Sequence, residues 1–176
     1  MQRLRDIYHN SLIKKIDKWN IYIKKVDDGM FKKTPILTKA NVLLGLKSVT
    51  RDEAIRKAGE LLIQGGYVSE EYVDAMFERE EIVSTFIGNG VAIPHGVGKA
   101  RGLIKRSGLV VMQYPDGIDY NGNTCYLVIG ISGKDNDHIK ILSNIAEQLG
   151  DLDKAQLLWK TDDTDKVYDI FVHGEK

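Results

Sequence analysis

Residues 79–96 read Arg-Glu-Glu-Ile-Val-Ser-Thr-Phe-Ile-Gly-Asn-Gly-Val-Ala-Ile-Pro-His-Gly. Val91 to Ile93 is a short apolar segment with the character of a strand. Pro94 has no N–H to give to a ladder, so strand pairing is expected to stop there. His95 then stands at a strand end, followed by a glycine that leaves open space and backbone freedom. An imidazole presented in this way is available to a partner. The plainer alternative is a histidine in an ordinary turn, and four residues alone do not separate the two.

Upstream of this stretch the pattern is helical. Thr50-Arg51-Asp52-Glu53 is a capping box, in which the threonine accepts from an early helix N–H and the glutamate reaches back. Ala54, Ile55, Ala58, Leu61 and Leu62 follow at helical spacing, and Gly65-Gly66 stops the helix. Ser69 is expected to cap a second helix, with Tyr72, Val73, Met76 and Phe77 as its buried stripe. Arg79 falls near the end of that helix, where its dipole favours a cation even with no ligand present.

Downstream, Leu109 to Tyr114 reads as a strand and Pro115-Asp116-Gly117 as a turn. Ile118 and Tyr120 alternate with polar neighbours, and Asn121-Gly122 turns the chain again. Thr124 to Ser132 is nearly continuous apolar sequence, as in a central strand covered on both faces. Residues 133–137 form a polar loop. A helix follows from His138, with Ile141, Leu142, Ile145 and Leu149 on one face. Asp151 is expected to start another, bearing Leu157, Leu158 and Trp159, and Thr164 a last one, bearing Val167, Ile170 and Phe171. Helices placed on both sides of several strands make a layered α/β domain.

The composition is that of an ordinary globular chain. It has 176 residues, 43% hydrophobic and 28% charged. Lys+Arg 25 balances Asp+Glu 25, so bulk charge gives no case for a nucleic-acid partner. One cysteine, Cys125, leaves no intrachain disulfide framework and fits a reducing cytoplasm. No apolar run approaches the length of a membrane span. Residues 1–30 differ in kind from the rest: residues 1–26 carry seven Lys/Arg and two Asp. Trp19 to Lys24 alternates like a strand, while the wider segment has amphipathic helical character that suits a membrane surface or a partner. A linker or upstream extension is the plainer reading of this basic segment.

Four histidines occur, of which His9 and His173 lie near the ends and are expected to be solvated. His138 opens a helix after an apolar strand; it either caps or packs locally, or it faces His95. Two histidines are too few for a metal site, and no Cys/His spacing suits zinc. Cys125 lies in a strand expected to be buried, where free cysteine is a packing residue. Gly88-Asn89-Gly90 lacks the following Gly-Lys-Ser/Thr of a phosphate loop, so direct use of ATP is not expected.

Residues 88–96, with Arg79 upstream, resemble the phosphorylation site of the mannitol/fructose-type (type 2) enzyme IIA domains of the bacterial sugar phosphotransferase system. The similarity runs in order through residues 50–60, 65–69, 72–79, 113–117, 127–131 and 136–139. It covers residues 31–176 as one domain, leaves residues 1–30 outside, and is closest to the mannitol-specific branch. The resemblance implies a layered sandwich, a mixed β-sheet flanked by helices on both sides. It implies that His95 is phosphorylated on Nε2 (a tele-phosphohistidine) by the phosphorylated histidine carrier protein HPr. The group then passes to a cysteine of enzyme IIB, alone or in a IICB protein, for mannitol uptake. Arg79 and His138 are implied as phosphate-stabilising residues, and no cofactor is implied. Cys125 lacks the loop context of a IIB cysteine, so a IIA unit is expected without IIB or a fused transporter, in the cytoplasm. A regulatory module that reports phosphorylation state is the alternative on the same fold.

Overall fold

The computed structural model describes residues 35–173; the basic segment and His9 lie outside them. Among these residues five strands form one sheet: β1 (Val42–Leu43), β2 (Phe86–Gly88), β3 (Val91–Ala92), β4 (Gly108–Tyr120) and β5 (Asn123–Ser132). Their order is β1-β4-β5-β3-β2. β1 runs parallel to β4 and β3 parallel to β5, while β4–β5 and β2–β3 are antiparallel. The sheet is therefore mixed, as expected. The two short strands β1 and β2 carry too few residues to show a period, and sequence patterning does not find them.

Among the described residues five α-helices cover the sheet: α1 (Arg51–Gln64), α2 (Tyr72–Ile82), α3 (Asp137–Leu149), α4 (Leu152–Lys160) and α5 (Thr164–His173). Side chains alternate across the pleat, so each central strand feeds two cores. Val110, Met112 and Val128 pack with Ala54, Ile55, Ala58 and Met76 of α1 and α2. Leu109, Val111, Leu127, Ile129 and Ile131 pack with Ile141, Ile145, Leu158 and Phe171 of α3, α4 and α5. The near-continuous apolar text of β5 reflects this cover on both faces.

The capping box of α1 is formed: the Glu53 N–H donates to Thr50 Oγ1 and the Thr50 N–H donates to Glu53 Oε2. Ser69 does not cap α2 as expected. Glu71 occupies that position in a helical conformation without a side-chain cap, and Ser69 accepts the Tyr72 N–H through its carbonyl, not its side chain.

Pro115-Asp116-Gly117 is not a turn. β4 passes through it, and the register jumps from Gln113↔Leu127 to Ile118↔Cys125. The extra residues are a bulge, with Gly117 at φ +74°. A bulge accepts both the proline's missing donor and the glycine's left-handed backbone. Beside it, buried Gln113 donates from Nε2 to the carbonyls of Leu158 and Thr161, both at 2.7 Å. Its Oε1 accepts the Gly45 N–H at 2.9 Å. That side chain ties the loop after β1 to the end of α4.

Candidate functional site

The β2–β3 hairpin carries His95 to its place. It turns at Asn89-Gly90, whose φ values of +47° and +65° suit a tight two-residue turn. A Cβ on Gly90 would meet the rings of Tyr126 and Trp159 at 2.7 and 2.8 Å, so only glycine fits. Asn89 Nδ2 donates to the carbonyls of Leu149 and Gly150, satisfying the free end of α3. The hairpin that bears one histidine thus grips the far end of the helix that bears the other.

Pairing does not stop at Pro94. The Ile131 N–H donates to the Pro94 carbonyl at 3.0 Å, and His95 forms a parallel bridge with Ile131. Proline removes a donor from the ladder but keeps its acceptor. His95 is correspondingly buried, at 6% exposure, rather than open at a strand end. Gly96 is not open space either. A Cβ there would meet the Tyr72 ring at 2.6 Å. The Tyr72 hydroxyl accepts the Gly96 N–H and donates to the Ile131 carbonyl, each at 2.9 Å. Tyr72 was legible as a core residue of α2 but not as the clamp on this strand end.

His95 Nδ1 lies 2.7 Å from the carbonyl oxygen of Ile93. A carbonyl only accepts, so Nδ1 carries the hydrogen and the lone pair is on Nε2. Burial holds the ring's pKa down to about 4. The Ile93 carbonyl and Glu80 act the other way, and the charges of His138 and Arg79 add to the depression. Near neutral pH His95 is a neutral imidazole with one defined nucleophilic nitrogen.

The structure brings the second histidine to the first. β5 ends at Ser132, and Gly133 lets the loop fold close against the start of α3, where a Cβ would collide with the His138 backbone. Ser107 Oγ steadies the loop, donating to Asp137 Oδ2 at 2.9 Å and accepting the Lys134 N–H at 3.1 Å. The His95 and His138 ring centroids are 5.0 Å apart at 59°. His138 is half-buried, and burial, then the charges of Arg101 and Arg79, push its pKa down.

Arg79 lies in the last turn of α2, where its guanidinium donates to the Val83 carbonyl at 2.7 Å. This is the helix-end cation that position alone suggests. Its charge nevertheless reaches both histidines. Arg101, in the 3₁₀ turn Gly98–Leu103, is a further cation whose charge reaches His138. No sequence spacing singled it out, because only the fold brings its charge within reach of His138. Cys125 is fully buried, its thiol donates to the Leu127 carbonyl, and burial pushes its pKa up to about 12. It is no thiolate nucleophile. Among the described residues no group of three or more His, Cys, Asp or Glu side chains stands ready to hold a metal ion.

The site is therefore a buried neutral imidazole with Nε2 free, a second imidazole beside it and an arginine within electrostatic reach. The profile of the family "Phosphoenolpyruvate-dependent sugar phosphotransferase system, EIIA 2" matches residues 35–174. The "Mannitol-specific phosphotransferase enzyme IIA component" of Geobacillus stearothermophilus is 42% identical over 137 residues, 77% of this chain and 94% of that protein. The "PTS system mannitol-specific EIICBA component" of Pasteurella multocida is 46% identical over 136 residues, 75% of this chain. The match spans only 22% of that longer protein. Among solved structures, the complex of enzyme IIAMTL with phosphorylated enzyme IIBMTL from Escherichia coli aligns at TM-score 0.71 and 37% identity. It covers 77% of this chain and 96% of that one.

Proposed function

This chain belongs to the EIIA 2 family of the phosphoenolpyruvate-dependent sugar phosphotransferase system, and from that premise we propose that it is a phosphocarrier for mannitol uptake. It accepts a phosphoryl group on His95 from the histidine carrier protein HPr and gives it to a cysteine of enzyme IIB. The observation that carries this reading is the His95 ring itself: neutral, held through Nδ1 by Ile93, with its lone pair on Nε2.

In the first transfer, the Nε2 lone pair attacks the phosphorus of the carrier's phosphohistidine. The P–N bond to the carrier breaks and its electron pair returns to that imidazole, as a P–N bond forms on His95. As Nε2 gives up electron density the ring gains positive character, and the Nδ1–H bond to the Ile93 carbonyl strengthens. In the second transfer, the thiolate sulfur of the IIB cysteine attacks the same phosphorus. The Nε2–P bond breaks, its electron pair returns to Nε2, and the neutral imidazole is restored. A loose phosphoryl-transfer transition state asks the protein mainly for position and charge. Arg79 supplies charge to the phosphate oxygens, and His138 supplies a hydrogen-bond donor beside them.

The mannitol names of the relatives favour uptake over a regulatory module on the same fold. The test is incubation with phosphoenolpyruvate, enzyme I and HPr, followed by phosphosite mapping and chase with mannitol IIB. One acid-labile, alkali-stable phosphate on His95, lost to IIB, is expected. His95→Ala should fold and take none. Phosphate on Cys125, or stable phosphate on the mutant, would overturn the assignment.

A further inference from the structure

Glu80 follows Arg79 on α2 and is 4% exposed. A carboxylate so deeply placed needs partners for its lone pairs. Four neutral donors converge on it. Oε2 accepts the Thr85 N–H at 3.0 Å, the Thr85 hydroxyl at 2.6 Å and the Tyr120 hydroxyl at 3.1 Å. Oε1 accepts from Asn121 Nδ2 at 3.2 Å. The network joins α2, the segment before β2 and the β4–β5 turn.

From Thr85 the hydrogen bonds lead to the acceptor histidine. The Ile93 N–H donates to the Thr85 carbonyl at 3.0 Å, and the Ile93 carbonyl holds the His95 Nδ1–H. We propose that Glu80 is a positioning residue for the phosphoryl acceptor: by fixing Thr85 it sets the backbone of Ile93, whose carbonyl selects the Nε2-nucleophilic tautomer of His95. Its negative charge also favours positive charge on that ring. Arg79 on α2 and His138 on α3 act in the opposite sense on the same ring, and the charge of Arg101 reaches His138. Glu80 is thus the counter-charge for the phosphorylated imidazole, whose ring carries the Nδ1–H and positive character together. The path crosses the Cα atoms of Thr85 and Ile93, so it transmits position, while the charge of Glu80 acts on the ring through space.

The inference rests on His95 being the acceptor, and its test separates the two. ¹⁵N spectra of the full chain report the tautomer and titration of the His95 ring without any transfer reaction. Wild type should show the Nδ1–H form. Glu80→Gln keeps the size and removes the charge. It should bring in the Nε2–H form and slow phosphorylation by HPr about tenfold. Thr85→Val should move both readouts the same way, and Thr85→Ser should restore most of what Thr85→Val loses. If Glu80→Gln does not fold by circular dichroism, Tyr120→Phe removes one donor from the network and is read in the same manner. A folded Glu80→Gln or, failing it, Tyr120→Phe with the wild-type His95 tautomer and titration overturns the proposal. Wild type with no phosphate on His95 defeats the acceptor reading instead, while the ring spectra still judge Glu80.

Discussion

Burial of His95 gives the fold an acid sensitivity that its composition does not announce. An unfolded imidazole titrates near 6.5, the folded one at about 4. Above pH 6.5 both states are neutral and the site costs nothing in proton binding. Between the two values the unfolded chain takes up a proton that the folded chain refuses, so stability falls as the pH drops from 6.5 towards 4. The loss reaches up to about 3 kcal/mol, and His138 adds to it in the same direction. Urea midpoints at pH 7, 6 and 5 should decline, and His95→Gln should flatten much of the slope. The two neighbours are separable by kinetics. Arg79→Lys keeps the charge and loses the fork, so single-turnover transfer should slow while phosphorylation persists. His138→Ala leaves the nucleophile and removes a donor, which by analogy with an oxyanion-hole donor should slow transfer by about 10²-fold. If both transfer rates stay at wild type in both mutants, Arg79 is only a helix-end cation and His138 only a local packing residue.

The elements meet at the site through a few side chains, and Tyr72 is the most exacting. Tyr72→Phe leaves the ring in place but strips the Gly96 N–H and the Ile131 carbonyl of their partner. An unfolding free energy lower by about 1–3 kcal/mol, read from urea titration, is expected from those unsatisfied groups. Transfer should slow as well, because the same bonds hold the strand end that carries His95. The helix around Tyr72 was legible because its apolar spacing is local, and so was α1, whose start is written in Thr50 and Glu53. The role of the tyrosine was not, since its hydroxyl partners lie on two other elements. Pro115 and Gly117 misled for a different reason. Proline and glycine report a backbone conformation, and both a turn and a bulge supply it. Pro94 likewise told of a missing donor but said nothing of its carbonyl, which Ile131 uses. The stretch that ends at His95 could be read as residue types in a row, and its burial could not, because Tyr72 meets Gly96 and Ile131, and His138 meets His95, only in the folded sheet.

At the scale of the whole chain, two cores share one sheet, and the family match begins at residue 35. A chain lacking residues 1–30 is therefore expected to fold and to accept phosphate within about threefold of the full-length rate, under roughly 1 kcal/mol of transition-state stabilisation. A hundredfold loss with intact circular dichroism would instead make that segment part of the docking or the site. The sheet's connections also set an order of events. β4 and β5 are joined by Asn121-Gly122 and pair antiparallel, which needs only a short loop to close. β3 reaches β5 in parallel, across the whole of β4, so that pairing carries a larger loop entropy. Amides within β5 should consequently divide by the direction they face. Those turned to β4 gain protection with the hairpin. Those of Leu127 and Ile131, which donate to the Gly90 and Pro94 carbonyls, must wait for β3. In a refolding chain labelled by pulsed hydrogen exchange, Leu127 and Ile131 should be slow beside early amides turned to β4, and the protection of Ile131 should mark the moment at which His95 takes its place.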